Sequence, residues 1–276
     1  MSKEINIMVK KLIINADDLG FSPGVNQAIL ETHLGGFLSH ASLMANTEYF
    51  NHAIEEIIPQ CKNLKVGVHV NLTCAKALFP TNVLTEKGFL NNTFVSLLFK
   101  IKSKKVLNSI ENEIEMQILK IKNAGIEISH IDGHEHVHII PSVNKIVRKL
   151  AKKHSIKRVR EINENFFTSF KYNLKTASFA NIIKLLLLKF LSIFNQNKNE
   201  VQFYSILNTC EINAQNLFDY LENTQDQNIE IMLHPSKIEL DKDVKNLELR
   251  FIDFLNSKFR TQEFELCFNE KFRKFT

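Results

Sequence analysis

Apolar and polar positions along the chain follow two periods in turn. Short apolar runs end in polar tips: "KLIINADD" (11–18), "HASLMAN" (40–46), "LKVGVHVNLT" (64–73), "IEISHID" (126–132), "IKRVRE" (156–161) and "IEIMLHPS" (229–236). Each reads as a strand. In "LKVGVHVNLT" the valines 66, 68 and 70 share one face, and Gly67, His69 and Asn71 share the other. Between these runs the spacing lengthens to that of a helix. Val25, Ala28, Ile29 and Thr32 predict a helix that stops at Gly35 and Gly36, and "YFNHAIEEIIPQC" predicts one ended by Pro59. Ile110, Ile114, Ile118 and Ile121 mark a third within the charged stretch 100–124. "VNKIVRKLAKKH", "NLFDYLEN" and "LELRFIDFLNSKF" follow as helices, and "FELCFN" (264–269) reads as a closing strand.

Strands that alternate with helices predict an α/β chain built on a parallel sheet, and 276 residues suit a single closed or partly closed β/α barrel of the TIM type. We therefore read 1–276 as one domain. The segment 166–198, rich in Phe, Leu and Lys, reads as core or as a helical cap or insertion over the site. No G-x-G-x-x-G run supports a nucleotide fold.

Composition narrows the picture. Apolar residues at 44% and charged residues at 24% describe a soluble globular chain, and 8 Gly with 5 Pro leave little room for linkers. The net charge of +5 comes from scattered lysines with no aromatic-interleaved basic stripe, so nucleic acid is not an expected partner. Cys61, Cys74, Cys210 and Cys267 form no CxxC pair, which fits reduced thiols in the cytoplasm. The start "MSKEINIMVKKLIIN" reads as no signal peptide. The most apolar run, Phe179 to Phe194, is broken by Lys184 and Lys189 and falls short of the roughly 20 residues a bilayer needs. A buried or amphipathic helix is the preferred reading of it, with membrane-surface contact second and no stable insertion.

The polar tips carry the chemistry. "ISHIDGHEHVHII" (128–140) places four of the chain's ten histidines at alternate positions, and "NADD", "HVN" and "LHPS" close other strands. In a β/α barrel such tips converge on one face. His plus Asp suits a divalent transition metal such as zinc, with a position left open for water. Adjacent Asp17 and Asp18 can serve one site only if the strand ends there. One could then bind metal while the other handles a proton. Each motif alone has a plainer reading: Asp-Asp-Leu-Gly as a turn with a helix cap, His69 as a satisfied core histidine.

Taken in order, "NADDLGFSPGVNQAI", "GVHVNLT", "ISHIDGHEHVHIIP" and "IEIMLHPS" resemble the YdjC-like (ChbG/HpnK) carbohydrate deacetylases from about residue 11 to the C-terminus. The resemblance implies a distorted β/α barrel and removal of N-acetyl groups from an amino-sugar mono- or oligosaccharide, using one divalent metal ion, Mg²⁺ or Zn²⁺. It implies Asp18, His69 and His134 as metal ligands, Asp17 as general base and His234 as general acid. Asp132, His138, Arg160 and Asn71 are implied as substrate contacts or supports. His130 and His136 receive no role. Phe21, Tyr49, Phe79 and Phe166 are the candidate sugar platforms, and "FYSILNTCEIN" departs from the family in having no glycine. A homodimer is compatible with all of this. Two other readings stay open: a different barrel metallohydrolase, such as a phosphoesterase or amidohydrolase with two metals, and a non-catalytic metal- or sugar-binding protein.

Overall fold

A computed structural model of the chain describes residues 9–100, 102–174, 176–195, 201–209, 211–225, 228–242, 244 and 249–276. The start of the chain and Cys210 lie outside them. Nine strands are described: β1 (Lys11–Leu19), β2 (His40–Leu43), β3 (Lys65–Val70), β4 (Thr85–Glu86), β5 (Phe89–Leu90), β6 (His130–Gly133), β7 (Arg158–Val159), β8 (Gln202–Tyr204) and β9 (Asn228–Leu233). β4 and β5 make a small hairpin, and the other seven form one parallel sheet in the order β7-β6-β3-β2-β1-β9-β8. The described helices are α1 (Pro23–Gly35), α2 (Phe50–His52), α3 (Phe94–Phe99), α4 (Lys104–Asn123), α5 (Pro141–Lys153), α6 (Phe166–Asn173), α7 (Phe179–Ser192), α8 (Ala214–Asn223), α9 (Leu249–Leu255) and α10 (Lys258–Leu266).

The sheet curls into a distorted, partly closed barrel, and side chains show the curl. In a flat sheet β7 and β9 would lie five strand spacings apart, about 24 Å. Yet Arg160, just beyond β7, holds Glu230 of β9 at 2.7 Å. The strands alternate accordingly. Ile14, Ala16, Ala41, Leu43, Val66, Val68, Val70, Ile131, Ile229 and Ile231 face outward into a core shared with Ile110, Ile114, Ile118, Ile121, Val143 and Val147 of α4 and α5. The opposite faces carry Asn15, Asp17, Ser42, His69, His130, Asp132 and Glu230, all buried. Barrel interiors are usually packed with branched apolar side chains. In this barrel much of the interior is polar.

Several elements differ from the sequence reading. "FELCFN" is not a strand: it forms the end of α10 and the turn after it. The buried residues Arg260, Glu263 and Leu266 recur every third position, a helical period masked because two of them are polar. The run 49–61 bends from α2 through a π-turn (Ala53–Ile57) into a 3-10 turn (Ile58–Gln60) that contains Pro59. Pro59 removes a backbone donor where a regular helix would need one. β8 and α3 were not anticipated, since each is short and lacks a clear period. Segment 166–198, where described, supplies α6 and α7. Leu185, Leu188 and Leu191 of α7 join Phe203, Ile206, Leu207 and Met232 in a second core, while its other side is exposed.

Candidate active site

Asp17 and Asp18 reach the same place by a backbone device. β1 does not end at the pair. Its register to β2 shifts between Ala16 and Leu19, and Asp18 takes φ +69°, a left-handed conformation uncommon outside glycine. That irregularity breaks the strand's alternation and turns both carboxylates to one side.

Asp18 Oδ1 lies 3.3 Å from His69 Nε2 of β3 and 2.9 Å from His134 Nδ1. The donor atoms of these three buried residues lie within 4.8 Å of one another. Burial opposes ionisation of Asp18, but His134 and His69 outweigh it and hold its carboxyl well below the usual range. Burial likewise disfavours a charged His69, yet Asp132 and then Asp17 push it up to about 9. His134 is raised by Asp18 in the same way, against burial. A divalent cation at this donor set would replace those ring protons with its own charge.

A second group, Asp17, His69 and Asp132, is equally close, but it is already occupied by a cation. Arg160, fully buried, sends Nη1 to Asp17 Oδ2 and Nη2 to Asp132 Oδ2 at 2.7 Å each. Asp18 Oδ2 and His134 Nε2, by contrast, are buried without a hydrogen-bond partner among the described residues. Orphaned donor atoms beside a carboxylate and two imidazoles fit a metal ion at the first group.

The surrounding side chains fix these groups in place. Asp132 Oδ1 accepts a hydrogen bond from His69 Nδ1–H at 2.7 Å, which commits Nε2 to the Asp18 side. Ser42 Oγ donates to Asp132 Oδ2 at 2.5 Å. Asn15 donates to Asp17 Oδ1 at 2.7 Å. His130 lies beneath, its ring nitrogens against Ser42 Oγ and Ser129 Oγ at 3.1 and 2.7 Å. A Cβ at Gly67 would come within 2.4 Å of that ring, so β3 needs glycine there.

These groups border a cavity of about 320 Å³ lined by Asp17, Asp18, His69, His134, His234, Lys184, Thr209, Phe251 and Phe254. Glu135 and His136 also line it, brought there by left-handed φ angles of +50° and +59° in the turn His134–Ile139. His136, without a role in the sequence reading, therefore faces the cavity. Burial and then Lys184 push its pKa well below the ordinary histidine value. His138, read as a possible contact, lies off the cavity with burial depressing its pKa to about 3. Asn71 is turned away: its side chain binds Asn46 Oδ1 and the Cys74 carbonyl at 3.0 and 2.8 Å and shapes the loop after β3.

Two residues carry no sequence motif. Glu263 Oε2 accepts the His234 backbone N–H at 2.5 Å and lies 3.6 Å from His234 Nδ1. Arg260, one helical turn earlier and 1% exposed, brings Nη1 to 3.5 Å from Asp18 Oδ2 and stacks over Phe254 at 4.4 Å. The signal that could have found them is their three-residue spacing with Leu266. Of the aromatic candidates, Phe21 packs against His134 at 5.8 Å, and Phe21 and Tyr49 border a neighbouring groove of about 820 Å³. Phe79 is 39% exposed, and Phe166 stacks on Phe170 within α6.

The YdjC-like protein family model matches residues 11–276. A carbohydrate deacetylase of Brevibacillus brevis is 35% identical over 148 residues, which cover 53% of this chain and 57% of that protein. The chain thus matches little more than half the length of that relative. The carbohydrate deacetylase of Clostridium beijerinckii is 30% identical over 234 residues, covering 83% of this chain and 82% of its own. Among solved structures, a protein of Enterococcus faecalis V583 suggested to act in cellobiose-phosphate cleavage is similar over 96% of this chain and 93% of its own. Its TM-score is 0.67 at 24% identity, which shows a shared fold.

Proposed function

This chain belongs to the YdjC-like family, and from that premise we propose that it is a metal-dependent deacetylase hydrolysing the N-acetyl group of an amino-sugar mono- or oligosaccharide. The observation that carries the reading is the convergence of Asp18, His69 and His134 with Asp17 and His234 around one cavity. The two imidazoles favour Zn²⁺ over Mg²⁺, which prefers oxygen ligands.

When bound by Asp18, His69 and His134, a divalent ion supplies Lewis acidity and an acidified water. The residues do the rest. Asp17, held on both oxygens by the Arg160 fork and by Asn15, takes a proton from the attacking water as its oxygen adds to the acetamide carbon. His234, anchored by Glu263, protonates the amine nitrogen as the C–N bond breaks. Arg160's occupation of the second carboxylate group argues against a two-metal hydrolase. The base and acid positions argue against a binding protein, which needs neither. Cys61, Cys74 and Cys267 are free and buried, and such thiols support a reducing compartment, the cytoplasm.

Asp17→Asn tests the reading. The variant retains stoichiometric metal by elemental analysis, and its acetate release from a panel of N-acetylated sugars falls roughly 10²–10⁴-fold. Full activity in the variant refutes the base assignment. Activity that persists after verified metal removal refutes the metal chemistry.

A further inference from the structure

α10 reaches the candidate site from behind at two points. Glu263 accepts the His234 backbone N–H, and Arg260, one turn earlier, brings its guanidinium up to Asp18. Arg260 is 1% exposed, yet its Nε, Nη1 and Nη2 make no hydrogen bond among the described residues. Asp18 Oδ2 is buried and equally without a hydrogen-bond partner, and it lies 3.5 Å from Arg260 Nη1. Buried polar groups are nearly always paired, since each one left unmade costs about 1–3 kcal/mol. Two such groups facing each other across one ion-pair distance are natural partners.

The surroundings hold the guanidinium there. The Phe254 ring lies 4.4 Å beneath it and packs edge-on against His234 at 5.5 Å. The Arg260 backbone is fixed on both sides, with N–H donating to the Ser257 carbonyl at 3.0 Å and its carbonyl accepting from Ser236 N–H at 3.3 Å. The adjacent carboxylates therefore meet different arginines. Asp17 is gripped by Arg160 on both oxygens at 2.7 Å, whereas Asp18 meets one nitrogen of Arg260 at longer range.

We propose that Arg260 is a positioning residue for the metal site: it fixes the rotation of the Asp18 carboxylate and thereby sets the affinity for a divalent ion. The proposal rests on the reading of Asp18, His69 and His134 as metal ligands. The terminal torsion of an aspartate is broad, so a carboxylate without a partner must be ordered when an ion binds. Each carboxylate oxygen has two lone pairs, so Oδ2 can accept from Arg260 and still serve the ion. A cation beside the site also repels a dication. Asp18 meets the imidazoles through Oδ1 and Arg260 through Oδ2, so its own negative charge screens the guanidinium from the ligand set, and the orienting effect wins.

Titration of the full chain with Zn²⁺ by calorimetry reads the affinity without turnover. Arg260→Met and Arg260→Gln both remove the charge and the ion pair, and each weakens Zn²⁺ binding roughly 10–100-fold. Arg260→Lys restores the charge without the planar fork and recovers most of that loss. Circular dichroism and thermal melting identify the folded variants, and two neutral side chains cover the case in which one of them does not fold. A role in packing alone lowers the melting temperature and leaves the Zn²⁺ affinity native. A folded neutral variant that binds Zn²⁺ as tightly as the native chain, or more tightly, therefore overturns the proposal. So does a lysine variant as weak as the neutral ones. A native chain that binds no divalent ion refutes the metal-site reading itself, a separate failure read before any variant is made.

Discussion

Replacing Arg160 by methionine removes a buried cation from among three buried carboxylates: Asp17, Asp132 and Glu230, each 2.7 Å from one guanidinium nitrogen. Methionine fills similar space but offers no donor, so the carboxylates keep their burial and lose their partner. Breaking a buried ion pair from one side costs about 3–5 kcal/mol. The direction of the Glu230 shift agrees: against burial, Arg160 and then Arg158 hold it down from an ordinary 4.5 to about 2. For a chain of this size the loss corresponds to a melting temperature lower by roughly 6–20 °C.

The sign with pH follows from the same geometry. Glu230 has a depressed folded pKa, so in the native chain its stabilisation is complete above about pH 4.5 and is lost as pH falls towards about 2. In Arg160→Met, burial without the guanidinium raises the folded carboxyl pKa values above the unfolded ones. The folded state then binds more protons, and stability falls as pH rises. Melting measured at pH 5 and pH 8 should therefore show a larger deficit for the variant at pH 8. An equal deficit at both pH values, or one below about 2 °C, would refute the electrostatic account. Arg160→Lys, which keeps the charge but not the fork, should fall between the two.

Other perturbations probe other links. Gly67→Ala puts a methyl into the His130 ring and should destabilise the chain by about 1–3 kcal/mol. Most of that should return in the Gly67→Ala/His130→Ala double variant, as measured by urea unfolding. Glu263→Gln leaves the shape around His234 but removes the carboxylate 3.6 Å from its Nδ1. The expected result is a roughly tenfold fall in kcat with KM unchanged, and steady-state kinetics that show KM rising instead would place Glu263 in substrate binding.

Much of the site was legible because each strand declares its tip locally. Asp17, Asp18, His69, Asp132, His134 and His234 stand at the ends of apolar runs, and the structure gathers them at one end of the barrel. The runs of 100–124 and 143–154 were equally clear, since a charged helix with one isoleucine or valine stripe has a single way to bury it. Legibility failed where polar residues are buried. Arg260 and Glu263 disguise the period of α10, so "FELCFN" passes for a strand. His136 was unassigned because its direction depends on two left-handed residues that are not glycine. Asn71 shares a face with His69 in an ideal strand, but the chain has left β3 by then and its amide ties down a loop.

By itself the sequence determined the class of fold, the order of most of its strands and helices, and the kinds of side chain delivered to the strand tips. Those follow from periodicity, which is local and survives without knowing the neighbours. Only the tertiary structure decided which carboxylate sits against two imidazoles and which is gripped by the Arg160 fork. Asp18 and Asp132 are the same residue type at similar tips, yet Arg160 stands beside Asp132 at the end of the neighbouring strand, and curling of the sheet carries its guanidinium across to Asp17 as well. Asp18 instead sits against two imidazoles through Oδ1, with Arg260 standing off at 3.5 Å from its Oδ2. Charge pairing in a low-dielectric interior depends on distances between elements remote in sequence, and those distances exist only once the sheet has curled.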